Sequence, residues 1–458
     1  MTTRIVVIGG DAAGMSAAHQ AVRSAASHGR SVAVTVLEAT VHTSYSACGL
    51  PYWISGEVGT QDELVARTPD QHRAMGLDLR TGAEVVRVDT TARTVRYRSA
   101  GSEQSLDYDE LVIATGARPV TPEWARADGA LKPGLGVVKT LDDGSFWLDQ
   151  LGAGSLRRVV IAGGGYVGIE MAEAALARGH QVTLVARSRL LSMLEPALSA
   201  QLADTLKAAG VEVVLGSAVD GVEHDAQGRL IAVCAGANRI DADHLVVALG
   251  ATPATEFLTG SGIPLSARGA LRPDPSGRVI PGVWAGGDCC EVRHRLTDSW
   301  SFLPLGTHAN KMGRAIGENL GGGELTFPGA LGTAITRFAA PGGYLEAAAT
   351  GLNLAQAVSA GFDAIEVVTQ GTTASGYHPD AVPITISLIG DRRTGRLVGG
   401  QIVGGRGAAK RIDVVAMALW TELTALDLAW ADLAYAPPFA TAWEIVSLAS
   451  RRLAERLG

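Results

Sequence analysis

One cysteine stands in a setting that suits chemistry. Cys48 lies in the run Thr43-Ser44-Tyr45-Ser46-Ala47-Cys48-Gly49-Leu50-Pro51-Tyr52. A thiol that opens a helix has its pKa lowered there and becomes a nucleophile able to attack a disulfide. On spacing alone, a small buried hydrophobe is the simpler reading of the same residue. Of the other cysteines, Cys289 and Cys290 are adjacent and awkward partners, which suits a structural role, and Cys234 lies in a strand-like run that reads as core. No second cysteine is near Cys48 in the chain, so a local dithiol is excluded. The four show no metal-ligand spacing and form no disulfide framework.

Two glycine-rich turns offer a second kind of chemistry. Gly163-x-Gly165-x-x-Gly168 follows the apolar run Arg158–Ala162 and precedes a helical stretch. The first glycine makes the tight turn, the second lets backbone approach a pyrophosphate, and the third packs helix on strand. The pyrophosphate then sits on the N–H groups at the helix start. About 155 residues earlier, Gly9-Gly10-Asp11-Ala12-Ala13-Gly14 repeats the pattern, with Asp11 at the middle glycine position. A carboxylate there must point away from phosphates. Glu38 closes the following strand and suits an adenosine ribose. The matching end of the second unit reads Val185-Ala186-Arg187-Ser188-Arg189, without an acid. Guanidinium groups there favour a 2′-phosphate, hence NADPH over NADH, although both arginines also suit a solvated surface.

These groups need elements to hold them. Strand, glycine turn, helix and strand within about 30 residues form a βαβ unit, which forces a parallel sheet. Two such units predict two Rossmann-type domains. Glycine-terminated apolar runs at Leu111–Gly116, Leu245–Gly250 and Val283–Gly287 predict that the second domain is inserted in the first. The expected boundaries are 1–116 and 251–329 for the first domain and 117–250 for the second. From about 330 the texture becomes β-rich, with a helical ending, which gives an α+β domain over 330–458. Apolar residues at 47% supply material for such cores, and a net charge of −7 argues against nucleic acid or an anionic membrane surface as partner. No apolar run approaches the ~18 residues of a membrane span, and with a motif so near the N-terminus no signal peptide is expected. A cytoplasmic α/β protein without metal is expected.

With these motifs in place, the chain resembles the single-cysteine branch of the flavoprotein disulfide reductases, the coenzyme A-disulfide reductase and NADH oxidase group. The resemblance rests on Val7-Ile8-Gly9-Gly10-x-Ala12-Ala13-Gly14, Ser44-Tyr45-x-x-Cys48-Gly49-Leu50-Pro51-Tyr52 and Tyr108-Asp109-x-Leu111-Val112-Ile113-Ala114-Thr115-Gly116. It continues through Gly287-Asp288, Leu303-Pro304-Leu305-Gly306-Thr307, Lys410-Arg411-Ile412-Asp413 and Ala434-Tyr435-Ala436-Pro437-Pro438-Phe439. It implies FAD in the first domain, a nicotinamide cofactor in the second, and a C-terminal dimerisation domain that completes the partner subunit's site. FAD would be held by Gly9, Gly10, Ala13, Gly14, Glu38, Val85, Thr115, Gly116 and Asp288, with Leu305, Gly306 and Thr307 near its ring. Gly163, Gly165, Tyr166, Val167, Gly168, Glu170, Arg187, Arg189 and Gly250 would hold the nicotinamide cofactor.

Within that group, peroxidase and water-forming oxidase members carry a histidine where this chain has Ala12, as the coenzyme A-disulfide reductases do. The resemblance therefore implies coenzyme A disulfide, with Gln20, Arg23, Ser44, His308, Lys410 and Arg411 as substrate contacts. Tyr435 would reach in from the neighbouring subunit, and Tyr377 begins Tyr377-His378-Pro379, where some members have Tyr-Tyr-Pro. The residue before the cysteine, often Asn, is Ala47. Taken alone, His308 and His378 read equally well as surface histidines. The implied reaction passes hydride from NADPH to flavin and two electrons to Cys48, held as a mixed disulfide with coenzyme A. The Cys48 thiolate then attacks an incoming disulfide or persulfide, and Tyr435 protonates the departing thiolate. An NAD(P)H oxidase cycling Cys48 through sulfenic acid, or a flavin redox sensor that delivers electrons to a protein, are the alternatives. No fused sulfurtransferase domain is expected beyond Gly458.

Overall fold

Short β-branched runs ending in glycine become the strands of parallel sheets, as their patterning requires. The computed structural model describes residues 2–152 and 154–458, which fall into two compact units. The first comprises the chain up to Leu50, Val58–Pro119 and Ala251–Ala330. Its six-stranded sheet runs in the order Arg278–Ile280, Val283–Ala285, Glu110–Ile113, Thr3–Ile8, Val32–Glu38, Asp78–Thr81. All neighbours are parallel except the edge pair Arg278–Ile280 and Val283–Ala285. A three-stranded antiparallel meander, Glu84–Asp89, Thr94–Ser99 and Ser102–Asp107, adds to the unit. Helices Ala12–Ser27 and Gly306–Gly321 lie backbone to backbone. A Cβ added to Gly313 would sit 2.2 Å from Ala13 O, and one added to Gly317 would sit 2.4 Å from Ala17 O. The small residues every fourth position on both helices are what permit this approach. The strands Ala117–Pro119 and Ala251–Pro253, which flank the insertion, pair antiparallel with each other.

The second unit comprises Pro51–Glu57, Val120–Gly250 and Leu331–Gly458. It holds a five-stranded parallel sheet ordered Leu135–Gly136, His244–Val247, Arg158–Ala162, Gln181–Ala186, Glu212–Leu215. It also holds a five-stranded antiparallel sheet ordered Ala334–Ala340, Gly343–Gly351, Leu397–Gly404, Pro383–Asp391, Ala364–Thr372. These two sheets share one apolar core. Leu198, Leu202 and Leu206 of helix Pro196–Ala208 cluster with Phe338, Leu345 and Val403 of the antiparallel sheet. Segment Pro51–Glu57, whose sequence runs on from the first domain, belongs to this unit for a physical reason. Ile54 is buried in the same core, and Arg178 Nε donates to Ile54 O at 2.6 Å. Among the described residues, no helix is long and apolar enough to cross a membrane.

Candidate active site

In the first unit the turn after strand Thr3–Ile8 is shaped for a pyrophosphate. Gly9 has φ +104°, and a Cβ there would strike Ala114 O at 2.3 Å. A Cβ on Gly14 would lie 1.9 Å from Gly9 O, so the helix starts tight against the turn. Helix Ala12–Ser27 has Asp11 at its N-cap with no side-chain cap bond and no acid in its first turn, so its leading N–H groups suit an anion. Glu38 Oε2 accepts from Gly10 N at 2.7 Å, and Oε1 accepts from Thr40 N and Oγ1 at 2.8 Å. The carboxylate thus stands fixed beside the turn, with lone pairs to spare for a ribose. Beside it, Thr43 Oγ1 is buried without a partner, its methyl group 3.2 Å from where a Gly10 Cβ would be. These features fit the adenosine diphosphate half of FAD.

The other expected FAD contacts lie in the same unit. Gly116 (φ +68°) ends strand Glu110–Ile113 after Thr115, whose hydroxyl is already given to Ala254 O at 2.7 Å. Gly287, next to Asp288, comes within 2.9 Å of Ala13 Cβ when given a Cβ of its own. Leu305 caps helix Gly306–Gly321 without a side-chain cap bond, leaving the amides of Gly306 and Thr307 at a second bare helix start. Val85 lies half-buried on the meander, at a bulge between Val85 and Arg87.

Cys48 is exposed and in no disulfide, in the 3₁₀ turn Ala47–Gly49 that leads into helix Leu50–Ser55. The structure therefore discards the buried-hydrophobe reading. Its loop is tied down by Ser46 N to Leu64 O and Ala66 N to Ser44 O, both 2.8 Å. A Cβ on Gly49 would meet Leu64 Cδ2 at 2.4 Å, so the Leu64 side chain would have to shift to admit one. The vicinal pair is core: Cys289 and Cys290 are buried, with Sγ atoms 3.8 Å apart and Cys289 Sγ pointing at Gly286 O. Cys234 is a correction. It lies half-buried with Sγ toward Glu223 Oε1, because the meander Gly221–Asp241 leaves that face partly wet.

Of the expected substrate contacts, Gln20 and Arg23 sit one turn apart on helix Ala12–Ser27. Arg23 Nη2 donates to Gln20 Oε1 at 2.7 Å, and Gln20 Nε2 donates to Glu318 Oε2 at 2.5 Å. Ser44 adopts φ +50° and bonds His72 Nε2 at 3.0 Å. His72 in turn bonds His19 at 2.8 Å, a link between residues far apart in sequence that no motif signals. His308 turns inward: Nδ1 bonds Leu303 O at 3.2 Å and the ring faces Phe327, while burial pushes its pKa down.

The second unit repeats the turn. Gly163 (φ +121°) would place a Cβ 2.1 Å from Ala248 O, and Gly168 would place one 1.9 Å from Gly163 O. Gly165 has nothing within 4 Å, which leaves space for a phosphate to approach. Helix Tyr166–Ala177 starts bare of any side-chain cap, with Val167 exposed in its first turn. Gly250 (φ +98°) ends the run after strand His244–Val247. Tyr166 donates its hydroxyl to Met193 Sδ. Glu170, one turn on, accepts from Thr336 Oγ1 at 3.0 Å, and burial pushes its pKa up to about 7, with the charge of Glu173 adding to the effect. Behind it, Arg337 binds both Glu57 (2.5 Å) and Glu173 (3.2 Å) and lies over the Tyr52 ring at 5.3 Å. That cluster joins three stretches distant in sequence, which periodicity cannot reveal. The two arginines differ: Arg187 is exposed, whereas Arg189 spends Nε on Leu194 O and Nη2 on Ser192 O, at 2.9 and 2.8 Å. Arg189 therefore shapes its loop.

Arg411, expected at the substrate, is engaged by its own chain. Its guanidinium reaches Glu444 Oε1, Gly407 O, Thr373 O and Phe439 O at 2.5–2.8 Å, so it is consumed inside its own chain. It braces the two segments bearing Tyr377 and Tyr435, which are also joined by Ser375 N to Pro437 O at 2.9 Å. Lys410 pairs with Asp413. Tyr377, Tyr435, Phe439 and Trp430 are all more than half exposed, a large aromatic surface for a water-facing loop. Among the described residues no group of side chains could hold a metal.

A family model described as pyridine nucleotide-disulphide oxidoreductase matches residues 3–312, and its dimerisation domain matches residues 343–446. The chain is 34% identical over 456 residues to the NAD(P)H coenzyme A polysulfide/persulfide reductase of Pyrococcus horikoshii, covering 99% of both. It is 30% identical to an NADH oxidase of Methanocaldococcus jannaschii, again covering 99% of both. The solved NAD-dependent persulfide reductase from A. fulgidus superposes with a TM-score of 0.93 at 32% identity, over 99% of this chain and 83% of that one. Two glycine turns built for dinucleotides and a lone exposed thiol agree with these matches, and the chain belongs to the pyridine nucleotide-disulphide oxidoreductase family.

Proposed function

We propose that the chain uses NAD(P)H and FAD to reduce a low-molecular-weight disulfide or persulfide, coenzyme A disulfide foremost, through Cys48. The observation that carries this reading is the single exposed thiol at the mouth of a helix, with the other three cysteines buried or half-buried elsewhere. A lone thiol cannot resolve its own disulfide, so it works as a mixed disulfide with a small partner. The relatives from Pyrococcus horikoshii and A. fulgidus, described as reductases of persulfides, support the substrate class. FAD, when bound, takes hydride from the nicotinamide and supplies sulfur with two electrons.

The residues then divide the work. The Cys48 thiolate attacks one sulfur of RS–SR′, a Cys48–SR bond forms, and R′S⁻ departs with the electron pair. Gln20 and Arg23 grip the coenzyme A portion, Arg23 through the part of its guanidinium that Gln20 leaves open, and Ser44 meets the substrate at its sulfur. Glu38 and the bare helix start at Ala12 hold the adenosine and pyrophosphate of FAD. Gly163, Gly165, Gly168 and Glu170 hold the nicotinamide cofactor, and Arg187 alone selects for a 2′-phosphate. Tyr435 and Tyr377, exposed on the dimerisation domain, complete the site of a partner subunit in a homodimer. A reduced exposed thiol suits a cytoplasmic location.

Steady-state turnover tests the reading. The purified enzyme consumes NAD(P)H with coenzyme A disulfide in the absence of any added protein, and Cys48→Ser abolishes that turnover. Retained disulfide turnover in Cys48→Ser overturns it.

A further inference from the structure

Ser44 lies four residues before Cys48 in the same loop, and two buried imidazoles stand behind its hydroxyl. His72 Nε2 is 3.0 Å from Ser44 Oγ, and His72 Nδ1 is 2.8 Å from His19 Nε2. His72 is wholly buried and His19 nearly so. The backbone is held as firmly: Ser44 N donates to Gly10 O, Ser44 O accepts from Ala66 N, and φ is +50°. A serine keeps such a conformation only where its surroundings over-determine it.

Burial keeps both imidazoles neutral, pushing His72 down to about 4 and His19 below its ordinary value. Arg67 acts on both rings, and Arg23 adds to it at His19. A neutral imidazole has one N–H and one lone pair. The chain of bonds therefore runs one way along its length, either from His19 toward Ser44 or back. In the first of these directions His19 donates to His72, and His72 Nε2–H donates to Ser44 Oγ. A hydroxyl that accepts there still has its own proton to offer.

We propose that His19 and His72 are positioning residues that fix Ser44 as an outward hydrogen-bond donor to the sulfur anion leaving at Cys48. When Cys48 attacks the substrate disulfide, the departing thiolate or persulfide carries the electron pair, and Ser44 O–H bonds to it without losing its proton. The inference rests on the reading of Cys48 given above and extends it to a residue pair outside every motif of the sequence.

The test compares His72→Phe, His72→Gln, Ser44→Ala and the Ser44→Ala/His72→Phe double variant in the FAD-loaded enzyme, with flavin reduction and disulfide turnover measured separately. His72→Phe lowers kcat with coenzyme A disulfide about tenfold, the scale of one lost hydrogen bond to an anion, while KM and flavin reduction hold. His72→Gln, whose amide N–H reaches where Nε2–H stood, recovers most of the rate. Ser44→Ala shows the same loss, and adding His72→Phe costs nothing further. Full activity of His72→Phe, equal losses in the Phe and Gln variants, or additive losses in the double variant overturn the proposal. If His72→Phe fails to retain FAD, His19→Leu removes the group that sets the direction of the chain, and unchanged turnover there overturns it as well. Disulfide turnover surviving in Cys48→Ser would instead locate the failure in the reading of Cys48.

Discussion

Substituting Glu170 by glutamine isolates the electrostatic cost of a carboxylate placed under the nicotinamide turn. Burial is the main reason its pKa rises from 4.5 to about 7. That displacement of about 2.5 pH units corresponds to about 3 kcal/mol, and solvent reaching a part-exposed group trims it to about 2 kcal/mol. Because the folded value lies above the unfolded one, the stabilisation is complete below about pH 4.5 and fades as pH rises through about 7. Glutamine keeps a carbonyl for Thr336 Oγ1 but cannot ionise, so it removes the pH dependence and little else. Unfolding midpoints in urea, followed by tryptophan fluorescence at constant ionic strength, give the difference between variant and wild type at each pH. The two proteins match near pH 4.5, and the variant gains about 2 kcal/mol by pH 8. A difference that stays flat between pH 4.5 and 8 refutes the argument, since it means Glu170 ionises as freely in the fold as in water.

Two further outcomes follow from the arginines. Arg187→Ala raises KM for NADPH about tenfold and leaves NADH kinetics unchanged, whereas Arg189→Ala weakens both nucleotides because its loop carbonyls lose their donor; equal effects on the two cofactors from Arg187→Ala contradict this. Arg411→Ala leaves the partly buried Glu444 without its cation, its Oε2 still accepting from Val446 N, and destabilises the second unit by about 2 kcal/mol, and Arg411→Lys does not rescue it, since one ammonium cannot meet four spread acceptors. A thermal melt that Arg411→Lys restores to wild type would show the guanidinium fork to be dispensable.

What was legible in the chain was whatever local spacing encodes. Gly9, Gly14, Gly163 and Gly168 announce their turns because no Cβ fits beside Ala114 O, Gly9 O, Ala248 O or Gly163 O. The alternation of strand and helix around them sets the parallel sheets. Illegible were the choices long side chains make once the fold brings several partners within reach. Arg189 and Arg411 look like ligand-binding cations in sequence, yet backbone carbonyls claim both. His308 finds Leu303 O in its own loop. His19 and His72 meet only because two helices converge behind Ser44, and Glu57, Glu173 and Arg337 meet across three segments. The packing of the antiparallel sheet onto helix Pro196–Ala208 was equally hidden, since each element's apolar face is compatible with many neighbours.

The central claim, that Cys48 is a redox sulfur in exchange with a small thiol, is most directly tested by anaerobic titration with NAD(P)H. The enzyme is first treated with coenzyme A disulfide and freed of excess. The wild type takes up about two equivalents per FAD, one for the flavin and one for the mixed disulfide on Cys48, with release of free coenzyme A; Cys48→Ser takes up about one and releases none. Uptake of a single equivalent by the wild type, or identical titrations of the two proteins, would contradict the account.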